Sequence, residues 1–120
     1  MDIKKGDMFY ADLGHDNIKN SEQYGIRPVL IISNDKGNIY SPTVIVAPLT
    51  SKMKRQDLPI HIAITKDKNN GLELNSVALL EQITTIDKSR LITKIGCICD
   101  DDLKKINQSL KISLDLKEEK

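Results

Sequence analysis

The stretch that decides the fold is RPVLIISN at residues 27–34, followed by a second apolar run, TVIVAPL, at residues 43–49. Both runs are continuous, short and rich in β-branched residues, which is typical of central strands that are buried on both faces. Pro28 fixes the backbone where the first run begins and disfavours helix at Arg27. The sequence therefore predicts two strands at the centre of a sheet.

The segments on either side extend this sheet and close it with a helix. Further strand patterns occupy residues 8–13, 60–64, 77–83 and 91–99. Residues 34–40 read as a turn or one short helix with Asn34 as its cap. The segment from residue 100 onward begins with three aspartates, which suit the positive end of a helix. The apolar residues expected on one face of that helix are Leu103, Ile106, Leu110 and Leu114. We expect a mainly β fold, a barrel-like sheet with an appended C-terminal helix.

Length and composition predict one domain over residues 1–120. The chain has 120 residues, of which 39% are hydrophobic and 29% charged, so it can bury one core. No apolar run approaches the ~20 residues of a membrane-spanning helix, and the N-terminus does not form a secretory signal. We therefore expect a cytoplasmic protein with no membrane contact. Its net charge of +1 means that nucleic acid would have to bind in a local basic groove.

The cysteines and histidines offer little catalytic chemistry. Cys97 and Cys99 would share one face of a strand, and we interpret them as small buried residues, because a metal site needs more ligands. His61 lies in an alternating apolar segment and is interpreted as a strand residue with a satisfied ring, whereas His15 falls in a polar loop. A paired-histidine ribonuclease mechanism is disfavoured, and neither a metal nor a cofactor is predicted.

A long polar segment, residues 14–25, leads directly into Arg27. Connections in compact domains usually run about 4–6 residues, and longer ones are often functional. An arginine at a strand end can hold a phosphate with two parallel hydrogen bonds. Thr50 occupies the matching end of the other central strand, so the two side chains would face one groove if the strands are neighbours. The residues alone leave another interpretation open, in which Arg27 packs beside its own loop and Thr50 caps a turn.

The chain resembles the MazF/PemK toxins over nearly its whole length. The matching segments, in order, are KKGDMFYADL, SEQYGIRPVLIISND, SPTVIVAPLTS, LPIHI and SVALLEQITTIDKSRL. This resemblance implies an SH3-like barrel fold, a homodimer with RNA grooves along its interface, and cleavage of single-stranded RNA at short motifs that often contain ACA. It also implies neutralisation by a MazE-like antitoxin that lays an acidic tail across those grooves. DNA would be bound only indirectly, through the antitoxin complex.

The resemblance also assigns roles to individual residues. The family's essential arginine and threonine fall on Arg27 and Thr50, and the acidic residue of its SEQ block falls on Glu22. The further residues expected to contact RNA are Ser21, Gln23, Ser51, Lys52, Glu81 and Gln82. The loop at residues 14–20 departs from the family pattern, because it is longer and lacks the proline and glycine often found before the SEQ block.

These residues can be tested against the chemistry of RNA cleavage. The reaction needs a deprotonated 2′-hydroxyl, a protonated leaving oxygen and a stabilised phosphorane. Arg27 supplies positive charge but stays protonated, so Glu22, the phosphate itself or water would serve as the base. The expected reaction is metal-independent transesterification to a 2′,3′-cyclic phosphate. Two other functions stay open: a toxin of the same fold that binds a target such as DNA gyrase, and a catalytically silent RNA-binding module. Arg27 and Thr50 on neighbouring strand ends favour the enzyme, because a toxin that binds gyrase needs no phosphate-binding residues there.

Overall fold

The two β-branched runs form the middle of an antiparallel sheet in the computed structural model, which describes residues 2–14, 24–52 and 58–117. The strands are β1 (Asp7–Asp12), β2 (Ile26–Ile31), β3 (Thr43–Thr50), β4 (His61–Ile64), β5 (Ser76–Leu79), β6 (Thr84–Asp87) and β7 (Leu91–Cys97). The helices are α1 (Asp35–Tyr40) and α2 (Asp100–Ser113), with 3-10 turns at Leu80–Gln82 and Lys88–Arg90. None of the helices in these described ranges combines the length and the apolar character that crossing a membrane requires.

The strand order is β4-β5-β3-β2-β1-β7, and β6 pairs with β3 as well. β2 and β3 lie side by side, with Val29 opposite Pro48 and Ile31 opposite Val46, as the sequence predicts. The first part of β3 pairs with β6 and its last two residues pair with β5. Pro48 lies at the junction of these two ladders, a position where a proline without an N–H is tolerated. β3 thus connects both halves of the sheet.

Both faces of the central strands are buried, which explains why their sequences are continuous rather than alternating. On β2, Leu30 belongs to one apolar cluster while Val29 and Ile31 belong to the other. Ile106 of α2 completes the first cluster, and Leu103 and Leu110 pack against it. The prediction that Leu114 shares this face is wrong. α2 ends at Ser113, so Leu114 lies in the cap beyond the helix and is 51% exposed.

The predicted strand at residues 77–83 is also wrong in its extent. The strand ends at Leu79, the chain turns through Leu80–Gln82, and Thr84–Asp87 then forms β6, which the sequence analysis did not predict. The turn moves the chain from the end of β3 to its beginning. The apolar run continues through this break because Leu80 faces the core even though the backbone has left the strand.

The cysteines are exposed, so the prediction that they are buried is wrong. β7 ends at Cys97, and Cys99 is the residue that precedes the first turn of α2. Ile98, between them, is the buried residue of the three, at 8% exposure. Side chains alternate in extended backbone, so burying Ile98 directs both thiols outward.

The turn at residues 69–71 is built against the sheet. Asn70 is 1% exposed, and its side-chain oxygen accepts hydrogen bonds from the backbone N–H groups of Asp67 and Leu72. Gly71 has φ +71°, and a β-carbon there would lie 1.9 Å from the carbonyl oxygen of Ile95. Only glycine allows this approach. The contact fixes where the following segment, residues 72–76, crosses the molecule.

Candidate active site

The ends of β2 and β3 meet at a surface cavity of about 330 Å³. Arg27 and Ser51 both line it. If the pairing of Val29 with Pro48 is continued by two residues, Arg27 comes opposite Thr50, as expected for two neighbouring antiparallel strands. We refer to this site as the Arg27 cavity. The residues that line it also include Tyr10, Tyr24, Ile26, Leu49, Leu72, Glu73 and Leu74.

Two glycines hold the chain in place just before Arg27. Gly14 and Gly25 have φ values of +90° and +76°, and Gly25 donates its N–H to the carbonyl of Gly14 at 2.8 Å. Leu13 donates to the carbonyl of Gly25 at 2.9 Å. The Nε of Arg27 donates to the carbonyl of Tyr24 at 2.8 Å. Since a guanidinium has five N–H donors, this bond orients the group and uses only one of them.

Thr50 is buried rather than open to the cavity. It is 2% exposed, and its hydroxyl oxygen accepts the N–H of Lys52 at 3.2 Å. The local roles that the sequence left open, Arg27 beside its own loop and Thr50 capping a turn, are therefore both present. Neither role removes the capacity to bind phosphate, because a hydroxyl that accepts a hydrogen bond still has its own O–H to donate. Ser51 and Lys52 are exposed at the strand end.

Glu81 and Gln82 line a second cavity, of about 590 Å³, and among the residues that the structure describes none lines both this cavity and the Arg27 cavity. Pro48 lines this second cavity while its neighbour Leu49 lines the first. Successive residues of a strand point to opposite faces of a sheet. Within one chain, the residues expected to contact RNA are thus divided between two cavities.

The carboxylate of Glu81 is held by His61. The ring Nε2 of His61 lies 2.6 Å from the Oε2 of Glu81, and the two side chains are 7% and 34% exposed. This contact confirms the interpretation of His61 as a strand residue whose ring is satisfied. His61 begins β4 and Glu81 lies in the turn after β5, so the pair links the strand to the rim of the second cavity.

The second cavity carries charges of both signs. Hydrogen bonds from the backbone and hydroxyl of Ser89 lower the pKa of Asp87, and the nearby Arg90 lowers it further. Asp87 is therefore ionised at neutral pH, and it lines the same cavity as Glu81 and Arg90. A mixed lining of this kind suits hydrogen bonding to bases better than binding of a bare phosphate.

Some predicted residues lie outside the described ranges. These are Ser21, Glu22 and Gln23, together with His15. Across residues 2–14, 24–52 and 58–117, no three His, Cys, Asp or Glu side chains are grouped as metal ligands.

The structure also adds residues that sequence reasoning missed. Tyr10, Tyr24, Leu72 and Glu73 line the Arg27 cavity. Tyr24 stands next to the SEQ block, and its position three residues before Arg27 was a usable signal. No sequence pattern indicated Glu73, because Glu73 reaches the Arg27 cavity only through the packing of the turn at residues 69–71 against β7.

Comparison with known proteins gives consistent matches over nearly the whole chain. Residues 4–114 match the family model of PemK-like, MazF-like toxins of type II toxin–antitoxin systems. Endoribonuclease EndoA of Bacillus subtilis (strain 168) is 48% identical over 116 residues, which is 97% of each chain.

Solved structures share the fold. An endoribonuclease in complex with its cognate antitoxin, from Mycobacterial species, is 25% identical with a TM-score of 0.78, covering 98% of this chain and 99% of that one. MazF from Deinococcus radiodurans is 20% identical with a TM-score of 0.78, covering 97% and 99%, and it bears on the fold alone. These matches confirm the expected mainly β fold with its C-terminal helix.

Proposed function

Because the chain belongs to the family of PemK-like, MazF-like toxins of type II toxin–antitoxin systems, we propose that it cuts single-stranded RNA at the Arg27 cavity by metal-independent transesterification. The chain is 48% identical to endoribonuclease EndoA across 97% of both chains, which is enough to establish the enzyme class. This protein is therefore an endoribonuclease toxin that a cognate antitoxin neutralises. The reaction would leave a 2′,3′-cyclic phosphate and a 5′-hydroxyl.

The observation that carries the mechanism is the placement of Arg27. Its Nε is anchored on the carbonyl of Tyr24, and its side chain lines an open cavity. The remaining donors of a planar guanidinium match two phosphoryl oxygens at once. Charge on these oxygens grows as the phosphorane forms, so a fixed cation at this point stabilises the transition state more than the ground state.

Thr50 is proposed as a second donor. Its oxygen accepts the N–H of Lys52, which leaves its own hydrogen to point at a phosphoryl oxygen. Because Thr50 is 2% exposed, this contact requires the turn at residues 50–52 to move when RNA binds. Ser51 already lines the cavity, and Lys52, the next residue along the chain, is exposed and positively charged.

The proton transfers need a base and an acid besides Arg27, which stays protonated. Glu22 is proposed as the base because the family's acidic residue falls on it and it lies five residues before Arg27 in the chain. The cleaved phosphate and water are the other groups able to carry the proton.

A homodimer would reunite the divided site. Arg27 and Glu81 line separate cavities of one chain, so a single protomer offers RNA two disconnected surfaces. A two-fold axis between two protomers can align these surfaces into continuous grooves, because every patch is repeated on the partner. We propose that RNA and the acidic tail of a MazE-like antitoxin compete for these grooves. We further propose that the toxin contacts DNA only through the antitoxin complex. The proposed substrates are ACA-containing motifs in cytoplasmic RNA.

The test is cleavage of a single-stranded RNA by the purified protein in excess EDTA, with the product ends identified and mapped. We expect cyclic phosphate and 5′-hydroxyl ends at one short motif in wild type and in the Lys104→Ala control. Arg27→Ala should not cut. Activity that returns only with added divalent cation would overturn the metal-free mechanism. If the Arg27→Ala variant is still toxic in cells but does not cut RNA, the alternative is favoured, in which the toxin acts by binding a target such as DNA gyrase.

A further inference from the structure

We propose that the Arg27 cavity is also a nucleobase subsite, in which the ring of Tyr24 stacks on the base beside the phosphate that Arg27 binds. The inference rests on the proposed function and deepens it, since it names how the same cavity holds its substrate.

Aromatic residues are scarce in this chain, which has three tyrosines, one phenylalanine and no tryptophan. Phe9 is fully buried in the core, and Tyr40 is 78% exposed on α1. The other two, Tyr10 and Tyr24, both line the Arg27 cavity. Half of the aromatic side chains are thus gathered around a single cation.

Tyr24 has the exposure that a stacking platform needs. The residue is 48% exposed although its backbone carbonyl accepts a hydrogen bond from the Nε of Arg27 at 2.8 Å. The ring therefore presents a face to solvent from a backbone position tied to the guanidinium. Proteins that bind single-stranded RNA combine two such features: a basic group that contacts the sugar–phosphate backbone of the RNA, and an aromatic ring on which a base stacks.

The remainder of the cavity suits one nucleotide rather than a run of phosphates. Ile26 and Leu74 line it and are 67% and 59% exposed, which leaves an apolar rim open to solvent. Glu73 also lines it and brings a carboxylate that repels a second phosphate. A carboxylate accepts hydrogen bonds from the amino groups of bases. The expected ligand is therefore one phosphate with an adjoining base that carries an exocyclic amine.

The absence of tryptophan from the sequence allows a direct test of stacking. Tyr24→Trp creates a protein with a single indole in the cavity, and Tyr40→Trp is the matched control on α1. The probe is a single-stranded RNA that contains the mapped cleavage motif with a 2′-deoxy nucleotide at the cut. We expect this RNA to quench the indole emission of Tyr24→Trp and to leave that of Tyr40→Trp unchanged. Anisotropy of the end-labelled RNA reports binding separately.

Two further variants separate stacking from apolar packing. Tyr24→Phe should bind RNA like wild type, whereas Tyr24→Leu should bind roughly 5- to 150-fold more weakly, the range expected for one lost stack. Replacing the stacked base by an abasic nucleotide should abolish the difference between Tyr24→Leu and wild type. If RNA binds Tyr24→Trp without quenching its emission, or binds Tyr24→Leu as tightly as wild type, the proposed subsite is wrong. The proposed nuclease activity would not be affected by either result. No binding of RNA by wild type would instead overturn the proposed function.

Discussion

The Nε2 of His61 lies 2.6 Å from the Oε2 of Glu81, and this contact joins the first residue of β4 to the turn that follows β5. The ring is nearly buried while the carboxylate reaches the rim of the second cavity. Glu81 therefore presents an oriented carboxylate to that cavity, although it belongs to a three-residue turn with no side-chain cap.

His61→Leu should loosen this turn. We expect a loss of about 1–2 kcal/mol in the free energy of unfolding, toward the low end for a hydrogen bond to a charged group because the Glu81 side chain is 34% exposed and screened by solvent. His61→Gln, which keeps a donor, should lose less. Urea denaturation of His61→Leu, Glu81→Gln and the double variant gives the coupling between the two side chains. Strictly additive losses would show that the contact contributes nothing.

Arg27→Ala should reduce cleavage at least ~100-fold, because the developing charge on the phosphorane loses its cation. Arg27→Lys should restore little, since an ammonium cannot reproduce the planar fork. Steady-state cleavage of a short RNA gives the rates, and circular dichroism checks that each variant is folded. Near-normal cleavage by either variant would remove Arg27 from the active site.

Thr50→Ala should lower the cleavage rate roughly 100-fold, the scale of a lost donor to a developing oxyanion. Thr50→Ser keeps the hydroxyl and should retain most of the activity. Unfolding of both variants must be measured alongside, because Thr50 also accepts the N–H of Lys52. If Ala and Ser variants cut equally well, the hydroxyl takes no part in the reaction.

The ion pair between Lys94 and Asp7 should stabilise the sheet in a pH-dependent way. Nζ of Lys94 lies 3.0 Å from the Oδ2 of Asp7, and this hydrogen bond raises the pKa of Lys94 above its ordinary 10.5. Lys94→Met should cost about 1 kcal/mol at neutral pH, a modest value because the Lys94 side chain is 43% exposed and screened by solvent.

The sign of the pH dependence follows from linkage. A group with a raised folded pKa contributes its full stability below its unfolded pKa and loses it as the pH rises through the folded value. The difference in stability between wild type and Lys94→Met should therefore be constant from neutral pH up to about 10.5 and shrink at higher pH. A difference that grows at alkaline pH would contradict the assignment.

Gly71→Ala should destabilise the protein by about 3 kcal/mol or more, because a β-carbon would meet backbone at 1.9 Å and the φ of +71° is unfavourable for alanine. Gly25→Ala is the matched control. Its φ is +76°, but no atom of the described residues lies within 4 Å of the added carbon, so only the conformational cost of about 1 kcal/mol remains. Thermal unfolding compares the two. Equal losses would mean that the turn can move away from β7.

Local patterns were sufficient for much of this molecule. The β-branched runs at residues 27–34 and 43–49 specify central strands because their side chains suit a pleated surface buried on both faces. Asn34 caps α1 by accepting the N–H of Gly37, a contact between residues three apart. The placement of Arg27 at a strand end follows from Pro28, which acts on its immediate neighbour. In each case the determining interaction lies within a few residues.

Contacts between distant segments decided the rest. Cys97 and Cys99 point outward because the core takes Ile98 instead, and strand alternation leaves no other choice. The apolar run after Ser76 breaks at Leu80 because the chain must turn to pair a second time with β3, which no local pattern signals. Glu73 reaches the Arg27 cavity because Gly71 lets its turn touch the backbone of β7. The sequence alone determined the two central strands and the placement of Arg27 at a strand end, whereas packing between segments far apart in the chain decided what surrounds Arg27.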